Sequence, residues 1–103
     1  MSLEDDQARF FKCIGEPTRL RILKHLISGE KCVTDIVSAT GKEQSLVSHH
    51  LKSLKDCKIV LKTQKAQKIY YSLVDTRLAE IVLQTEFMIR ERPLCQIDKS
   101  CGE

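Results

Sequence analysis

The sequence predicts an α+β fold, mostly α, with about five helices and a two-stranded β-hairpin. Three observations predict it: two short amphipathic segments meet at Gly41, two β-rich runs follow them, and helical periodicity returns at both ends of the chain. At 103 residues the chain makes one domain. We expect this domain to span residues 1–92, and a flexible, cysteine-containing tail to span residues 93–103.

The segment from Cys32 to Leu54 predicts two helices joined by a tight turn. Gly41 suits a turn that needs positive φ. Side chains on either side of Gly41 share one face at helical spacing: Val33, Ile36, Val37 and Thr40 before it, and Leu46, Val47, Leu51 and Leu54 after it. The pattern is a helix-turn-helix.

The second of these helices carries polar side chains away from its apolar stripe: Gln44, Ser45, Ser48, His49 and Lys52. Short hydrogen-bonding side chains near the N-terminal end of a helix can read base edges in a DNA major groove. The helix is therefore predicted to be a recognition helix. A solvated polar face on an ordinary core helix would give the same pattern.

A β-hairpin is predicted directly after this helix, from the runs Ile59–Leu61 and Ile69–Leu73. The polar segment Thr63–Lys68 separates the runs and would form a basic tip. A helix-turn-helix followed by such a hairpin is a winged helix. We expect lysines of the helix and the wing to lie near DNA phosphates: Lys52, Lys62, Lys65 and Lys68.

The distribution of charge along the chain supports contacts with DNA phosphates better than the net charge does. The formal net charge is only +3. Between residues 52 and 68, however, the single carboxylate Asp56 opposes a run of lysines: Lys52, Lys55, Lys58, Lys62, Lys65 and Lys68. Such a patch attracts phosphates and makes binding fall steeply with salt.

Helices are also predicted at both ends of the domain. Leu3 to Ile14 has an apolar face and would end at Gly15, after which Pro17 fits the first turn of a second, core helix. Asp75 or Thr76 can cap a last helix that runs to about Arg92. Its apolar set is wider than a small core needs, which suggests a partner helix.

The segments EKCVTDIV, GKEQSLVSHHLKSLKDCKIV and IYYSL resemble the arsenic-repressor (ArsR/SmtB-type) family of winged-helix transcriptional regulators. The resemblance runs from about Phe10 to about Glu91. It implies a homodimer paired through the first and last helices, whose two-fold symmetry would match a palindromic operator in double-stranded DNA.

The resemblance also points to an effector site at Cys32. The sensing motif of the family, Cys-Val-Cys-Asp, reads Cys32, Val33, Thr34 and Asp35 here, so the second cysteine is missing. Cys32 lies at a helix N-terminus, where the helix dipole favours the thiolate that binds soft metals. Because As(III) or Sb(III) takes about three thiolates, and Cd or Zn about four ligands, further ligands must come from elsewhere. Cys95 and Cys101 are the candidates, and the alternative is a tail whose exposed thiols bind no ion.

Other positions of the resemblance carry no expected ligand. Cys13 is predicted to be a small buried hydrophobe, and Cys57 to fill a slot that usually holds a small residue. Lys58 lies where the family often has glycine, so a left-handed helix cap there is expected to be strained or absent. The positions of a second family site, for zinc, lack both histidines and read Asp75, Arg77, Met88 and Glu91. We expect no zinc site there.

The sequence thus predicts a homodimeric, sequence-specific transcriptional repressor that a thiophilic metal or metalloid, arsenite above all, removes from DNA. We expect no constitutive cofactor, no enzymatic activity, no membrane span and a cytoplasmic location. Two alternatives stay open: a repressor that responds to a disulfide between Cys32 and a tail cysteine, and a winged-helix module that binds only proteins.

Overall fold

A computed structural model of the protein describes residues 2–92 and confirms the winged helix-turn-helix with five helices. The predicted tail, with Cys95 and Cys101, lies outside the described residues. In chain order the elements are α1 (Leu3–Ile14), α2 (Pro17–Leu26), β1 (Lys31–Cys32), α3 (Val33–Thr40), α4 (Gln44–Asp56), β2 (Val60–Lys65), β3 (Lys68–Leu73) and α5 (Arg77–Glu91). Within this range no helix is both long enough and apolar enough to cross a bilayer.

The first two helices begin and end where local chemistry requires. A capping box opens α1: the amide of Asp5 donates to Ser2 Oγ at 3.1 Å, and the amide of Ser2 donates to the Asp5 carboxylate at 3.3 Å. Gly15 follows the last residue of α1, as predicted. Glu16 then caps α2 by accepting from the amide of Arg19 at 3.0 Å, and Pro17 occupies the first turn.

Gly41 makes the predicted turn between α3 and α4, with a φ of 69°. Helix α4 buries Val47, Leu51 and Leu54, but the prediction for Leu46 is wrong, because 40% of this side chain is exposed. His50 occupies the remaining place on the buried face. The buried positions are therefore i, i+3, i+4 and i+7, which is a narrower stripe than apolarity alone indicated.

The sheet is larger and its tip shorter than predicted. The wing strands β2 and β3 pair from Val60↔Leu73 to Lys65↔Lys68, so most of the expected polar tip is strand and the turn is Ala66–Gln67. A third strand, β1, pairs antiparallel with β3 through Lys31↔Tyr71 and Cys32↔Tyr70. The sheet order is β1-β3-β2. The hairpin is thereby joined to the start of α3.

One core joins the helices to the base of the wing. Its fully buried side chains come from α2, α3, α4, the residue before β2 and the first residue of β2: Ile22, Leu23, Leu26, Ile36, Val47, Leu51, Leu54, Ile59 and Val60. Helix α5 adds Leu78 and Val82 on its inner side, while Phe87 and Met88 stay more than half exposed. The surplus of apolar surface on the last helix is therefore present, as the sequence indicated.

Lys58, just after α4, has a left-handed backbone with a φ of 61°. The helix end keeps its hydrogen bonds, since the amide of Lys58 donates to the carbonyl of Lys55 at 2.9 Å and that of Ile59 to Leu54 at 2.9 Å. The left-handed cap is thus present, on a residue that carries a Cβ atom. This conformation strains a non-glycine residue by roughly 1–2 kcal/mol.

We predict that Lys58→Gly raises the free energy of unfolding by about 0.5–1 kcal/mol, because glycine adopts this φ without steric strain. Urea denaturation at one fixed protein concentration measures the change. Lys55→Gly is the matched control within right-handed α4, where glycine should lower stability by about 1 kcal/mol. A loss of stability in both variants would contradict the strain at Lys58.

Candidate nucleic-acid interface and effector site

The polar side chains predicted for recognition all lie on the exposed face of α4. Gln44, Ser45, Ser48, His49 and Lys52 are exposed. Val47 and Leu51 of the same helix are fully buried. Since the buried stripe fixes the rotation of the helix, the opposite face must point outward. The N-terminal end of α4 therefore presents amide, hydroxyl and imidazole groups to the outside.

The adjacent residues His49 and His50 lie in different surroundings. His49 is exposed, whereas His50 is buried and held by two residues at the start of α2. Arg19 Nε donates to His50 Nδ1 at 3.1 Å, and Glu16 Oε2 lies 3.6 Å from His50 Nε2. The backbone bonds of Glu16 to the start of α2, together with His50 and Arg19, hold the pKa of its carboxyl group below its usual value despite the opposing effect of burial. This network fixes the middle of α4 to the start of α2.

A cleft of about 530 Å³ separates α4 from the wing. Among residues 2–92 it is lined by four lysines and no carboxylate, so its charge is positive. The polar lining residues come from three segments: Cys32 and Thr34 at the start of α3; Gln44, Ser48, Lys52 and Lys55 of α4; and Lys62, Gln67, Lys68 and Tyr71 of the wing. The fold thus brings together Lys52, Lys62 and Lys68, three of the four lysines for which phosphate contacts stay a prediction.

Lys65 lies apart from this group. Its Nζ is 2.6 Å from Glu30 Oε1 and 5.5 Å from the centre of the Tyr70 ring. The hydrogen bond to Glu30 raises the pKa of Lys65. Lys65 therefore ties the wing tip to the loop before β1. Lys55, which the sequence analysis left out of the phosphate contacts, lines the cleft instead, and its position one helical turn after Lys52 was the available signal.

Cys32 is the N-terminal cap residue of α3 and is 8% exposed. Its Sγ lies 3.1 Å from Thr34 Oγ1 and donates to Asp35 Oδ2 at 3.1 Å. Because β1 pairs with β3, this thiol lies in the wall of the cleft that α4 and the wing form. The sequence predicted Cys32 at the helix start but not its place in the cleft that Ser48 and Lys52 also line, since that depends on strand pairing.

The candidate effector ligands are incomplete within the described part of the chain. Residues 2–92 contain no group of three or more His, Cys, Asp or Glu side chains placed to hold a metal ion. Cys32 and Asp35 contribute a thiol and a carboxylate that already touch. Cys95 and Cys101, the other predicted ligands, lie outside the described residues.

Asp75 is one of the positions that correspond to the family's zinc site, and its carboxylate is held by Arg77. The guanidinium Nη2 of Arg77 lies 2.6 Å from Asp75 Oδ2, and the Arg77 amide donates to Asp75 Oδ1 at 2.9 Å. These bonds lower the pKa of Asp75 to about 2. The carboxylate thus serves the start of α5, where Thr76 makes no side-chain cap.

Comparison with known proteins agrees with this geometry. A family described as "Bacterial regulatory protein, arsR family" matches residues 16–62, which run from the cap of α2 into the wing. A solved homodimeric winged helix-turn-helix DNA-binding domain from Mycobacterium bovis, a possible ArsR-family regulator, has a TM-score of 0.79 at 29% identity. The match covers 87% of this chain and 83% of that one.

Two relatives extend the likeness beyond the matched family region. A "Probable mercury resistance operon repressor" from Streptomyces lividans is 38% identical over 79 residues, which are 77% of this chain and 63% of that protein. An uncharacterised HTH-type transcriptional regulator from Methanocaldococcus jannaschii is 40% identical over 83 residues, 80% of this chain and 93% of that protein. These relatives are transcriptional regulators and not enzymes. By fold, motif and sequence the chain belongs to the arsR family of bacterial regulatory proteins.

Proposed function

We propose that this protein is a homodimeric, sequence-specific DNA-binding repressor that leaves its operator when a thiophilic metal or metalloid binds at Cys32. One observation carries the proposal: the outward face of α4, four lysines and the Cys32 thiol line a single cleft. DNA binding and effector binding then use adjoining surfaces.

The DNA contacts divide by chemistry. Gln44, Ser45, Ser48 and His49 are exposed at the N-terminal half of α4 and would meet base edges in the major groove. Lys52 and Lys55 continue along the same helix, and Lys62 and Lys68 face them from the wing. These ammonium groups would meet phosphates on the two sides of the groove.

A dimer would place two such surfaces on one duplex. The exposed apolar side chains of the terminal helices favour pairing through α1 and α5: Leu3, Phe11, Leu83, Phe87, Met88 and Ile89. Phe10 of α1 and Leu78 and Ile81 of α5 line one groove, so the two helices are neighbours in the protomer. The relative from Mycobacterium bovis is itself homodimeric.

The effector would act from the wall of the cleft. An ion on the Cys32 thiolate, with Asp35 beside it, would lie at the cleft that Ser48 and Lys52 also line. Cys95 and Cys101 would complete the ligand set, and As(III) suits a set of three thiolates. Effector and DNA then compete through a coupling of ~1–3 kcal/mol, which corresponds to a roughly 5- to 150-fold change in affinity. DNA must weaken the binding of the ion by the same factor.

The DNA contacts are tested with duplexes selected by the protein from a random-sequence pool. We predict that Lys52→Ala weakens binding to all selected sequences and reduces the slope of log affinity against log salt by about 0.9, because one phosphate contact is lost. Gln44→Ala should instead cost about 1–3 kcal/mol of discrimination at one base pair.

Lys24→Ala is the matched control for these variants, because Lys24 pairs with Glu86 of α5 at 3.2 Å and does not line the cleft. Its salt slope should equal that of the wild type. If binding to duplex DNA were weak and independent of salt for the wild type itself, a protein-interaction module would replace the repressor.

The dimer is tested by placing a charge on α5. Phe87→Glu should produce monomers in sedimentation equilibrium, because a carboxylate buried in an apolar interface lacks a partner. Leu61→Glu on β2 is the matched control, since Leu61 is 54% exposed and Phe87 is 56% exposed. Dissociation by the Leu61 variant alone would assign the interface to the wing.

The effector site is tested by titrating arsenite, cadmium and zinc into the reduced protein bound to selected DNA. In the wild type, the responding ion should lower DNA affinity by about 5- to 150-fold. Cys32→Ser should abolish this response, and Cys95→Ser/Cys101→Ser should weaken it. An unchanged response in both variants would remove Cys32 as the sensor.

A further inference from the structure

Cys13 and Cys57, which the proposed effector site does not use, meet at the junction of α1 and α4. Cys13 Sγ lies 3.8 Å from the carbonyl oxygen of Ser53, and the amide of Cys57 donates to the same oxygen at 3.0 Å. Both side chains line one cleft of about 410 Å³. Two cysteines that are far apart in sequence thus lie at the same cleft.

The two thiols differ in access. Cys13 is 5% exposed, and this burial, followed by the interaction with Cys57, raises the pKa of Cys13 to about 11. Arg19 opposes this effect, with Nη1 at 3.8 Å from Cys13 Sγ. Cys57 is exposed. A dissolved oxidant therefore reaches the sulfur of Cys57 first, and Cys13 is the neighbour that can react next.

The charge of the cleft suits this chemistry. Among residues 2–92, it is lined by three cationic side chains, Arg9, Lys12 and Arg19, and by one carboxylate, that of Glu16. The thiolate is the form of cysteine that reacts with peroxides, and the guanidinium of Arg19 partly offsets the rise that burial causes in the pKa of Cys13.

We propose that Cys13 and Cys57 are a peroxide-oxidised pair whose disulfide joins α1 to the C-terminal end of α4. The Cys57 thiolate attacks one oxygen of hydrogen peroxide, the O–O bond breaks, and Cys57 becomes a sulfenic acid. The Cys13 thiolate then attacks the Cys57 sulfur, and the S–O bond breaks to release hydroxide. The two protons of the thiols convert the hydroxides formed to water. Two thiols lose two electrons in total, and one peroxide is reduced to two waters.

The bond would connect the two functional surfaces of the protomer. Helix α4 carries the side chains proposed to read DNA, and α1 carries part of the proposed dimer surface. Because a disulfide holds its two Cα atoms about 4.4–6.8 Å apart, oxidation would fix the end of α4 against α1. Reduction by a thiol would release it.

The test uses the full chain with Cys32→Ser, Cys95→Ser and Cys101→Ser, so that Cys13 and Cys57 are its two remaining thiols. After treatment with hydrogen peroxide, we expect the intact mass to fall by two hydrogen atoms. Digestion without reductant should give one peptide pair linked through Cys13 and Cys57, and dithiothreitol should restore the mass. The added variant Cys57→Ser, which changes an exposed side chain, should show no loss of hydrogen.

A second measurement tests the proposed restraint. Because the bond closes a long loop in the unfolded chain, the thermal midpoint should rise by about 5 °C or more on oxidation and return on reduction. A midpoint that stays constant or falls while the bond forms would contradict the restraint. A sulfinic acid on Cys57, a bond between two chains, or no reaction would overturn the pair itself. These readouts do not involve DNA, so their failure is distinguishable from failure of the proposed repressor function.

Discussion

The burial of one narrow stripe of α4 is the constraint on which the rest of the structure depends. Val47, Leu51 and Leu54 have no exposed surface, and they pack into the core that α2 and α3 share. Burial of three such side chains contributes several kcal/mol and leaves the helix one rotation about its axis. Gln44 and Ser48 face outward as a consequence of this packing, and no interaction of their own is needed to hold them there.

Polar contacts then set the position of α4 along the same surface. His50 is the one buried side chain of the helix that is not apolar, and it lies between Arg19 and Glu16. Glu16 also caps α2, so the start of that helix and the middle of α4 are held by one connected set of groups. Apolar packing fixes the rotation of the recognition helix, and this network opposes its sliding.

Much of the fold follows from periodicity and from punctuation by glycine and proline. The bounds of α1, the start of α2 and the turn at Gly41 were predictable because each has a local chemical cause. The exposure of Leu46 was not predictable, because an apolar residue type does not reveal whether the side chain reaches the core. The strand β1 was also missed, because two residues carry no period and their pairing with β3 is a long-range contact. The same holds for the candidate site: residue types identified Cys32 and the lysines, whereas their meeting in one cleft depends on the sheet.

Because the two-residue strand β1 pairs with β3, Cys32, the proposed sensor, and the wing belong to one hydrogen-bonded sheet. Cys32 is paired through its backbone with Tyr70, in the middle of the strand that returns from the wing tip. A ligand that draws Cys32 out of the wall must therefore either break this pairing or swing the hairpin with it. In the second case a small displacement of the Cys32 sulfur would become a larger displacement at the wing tip, because the hairpin extends away from its pairing with β1.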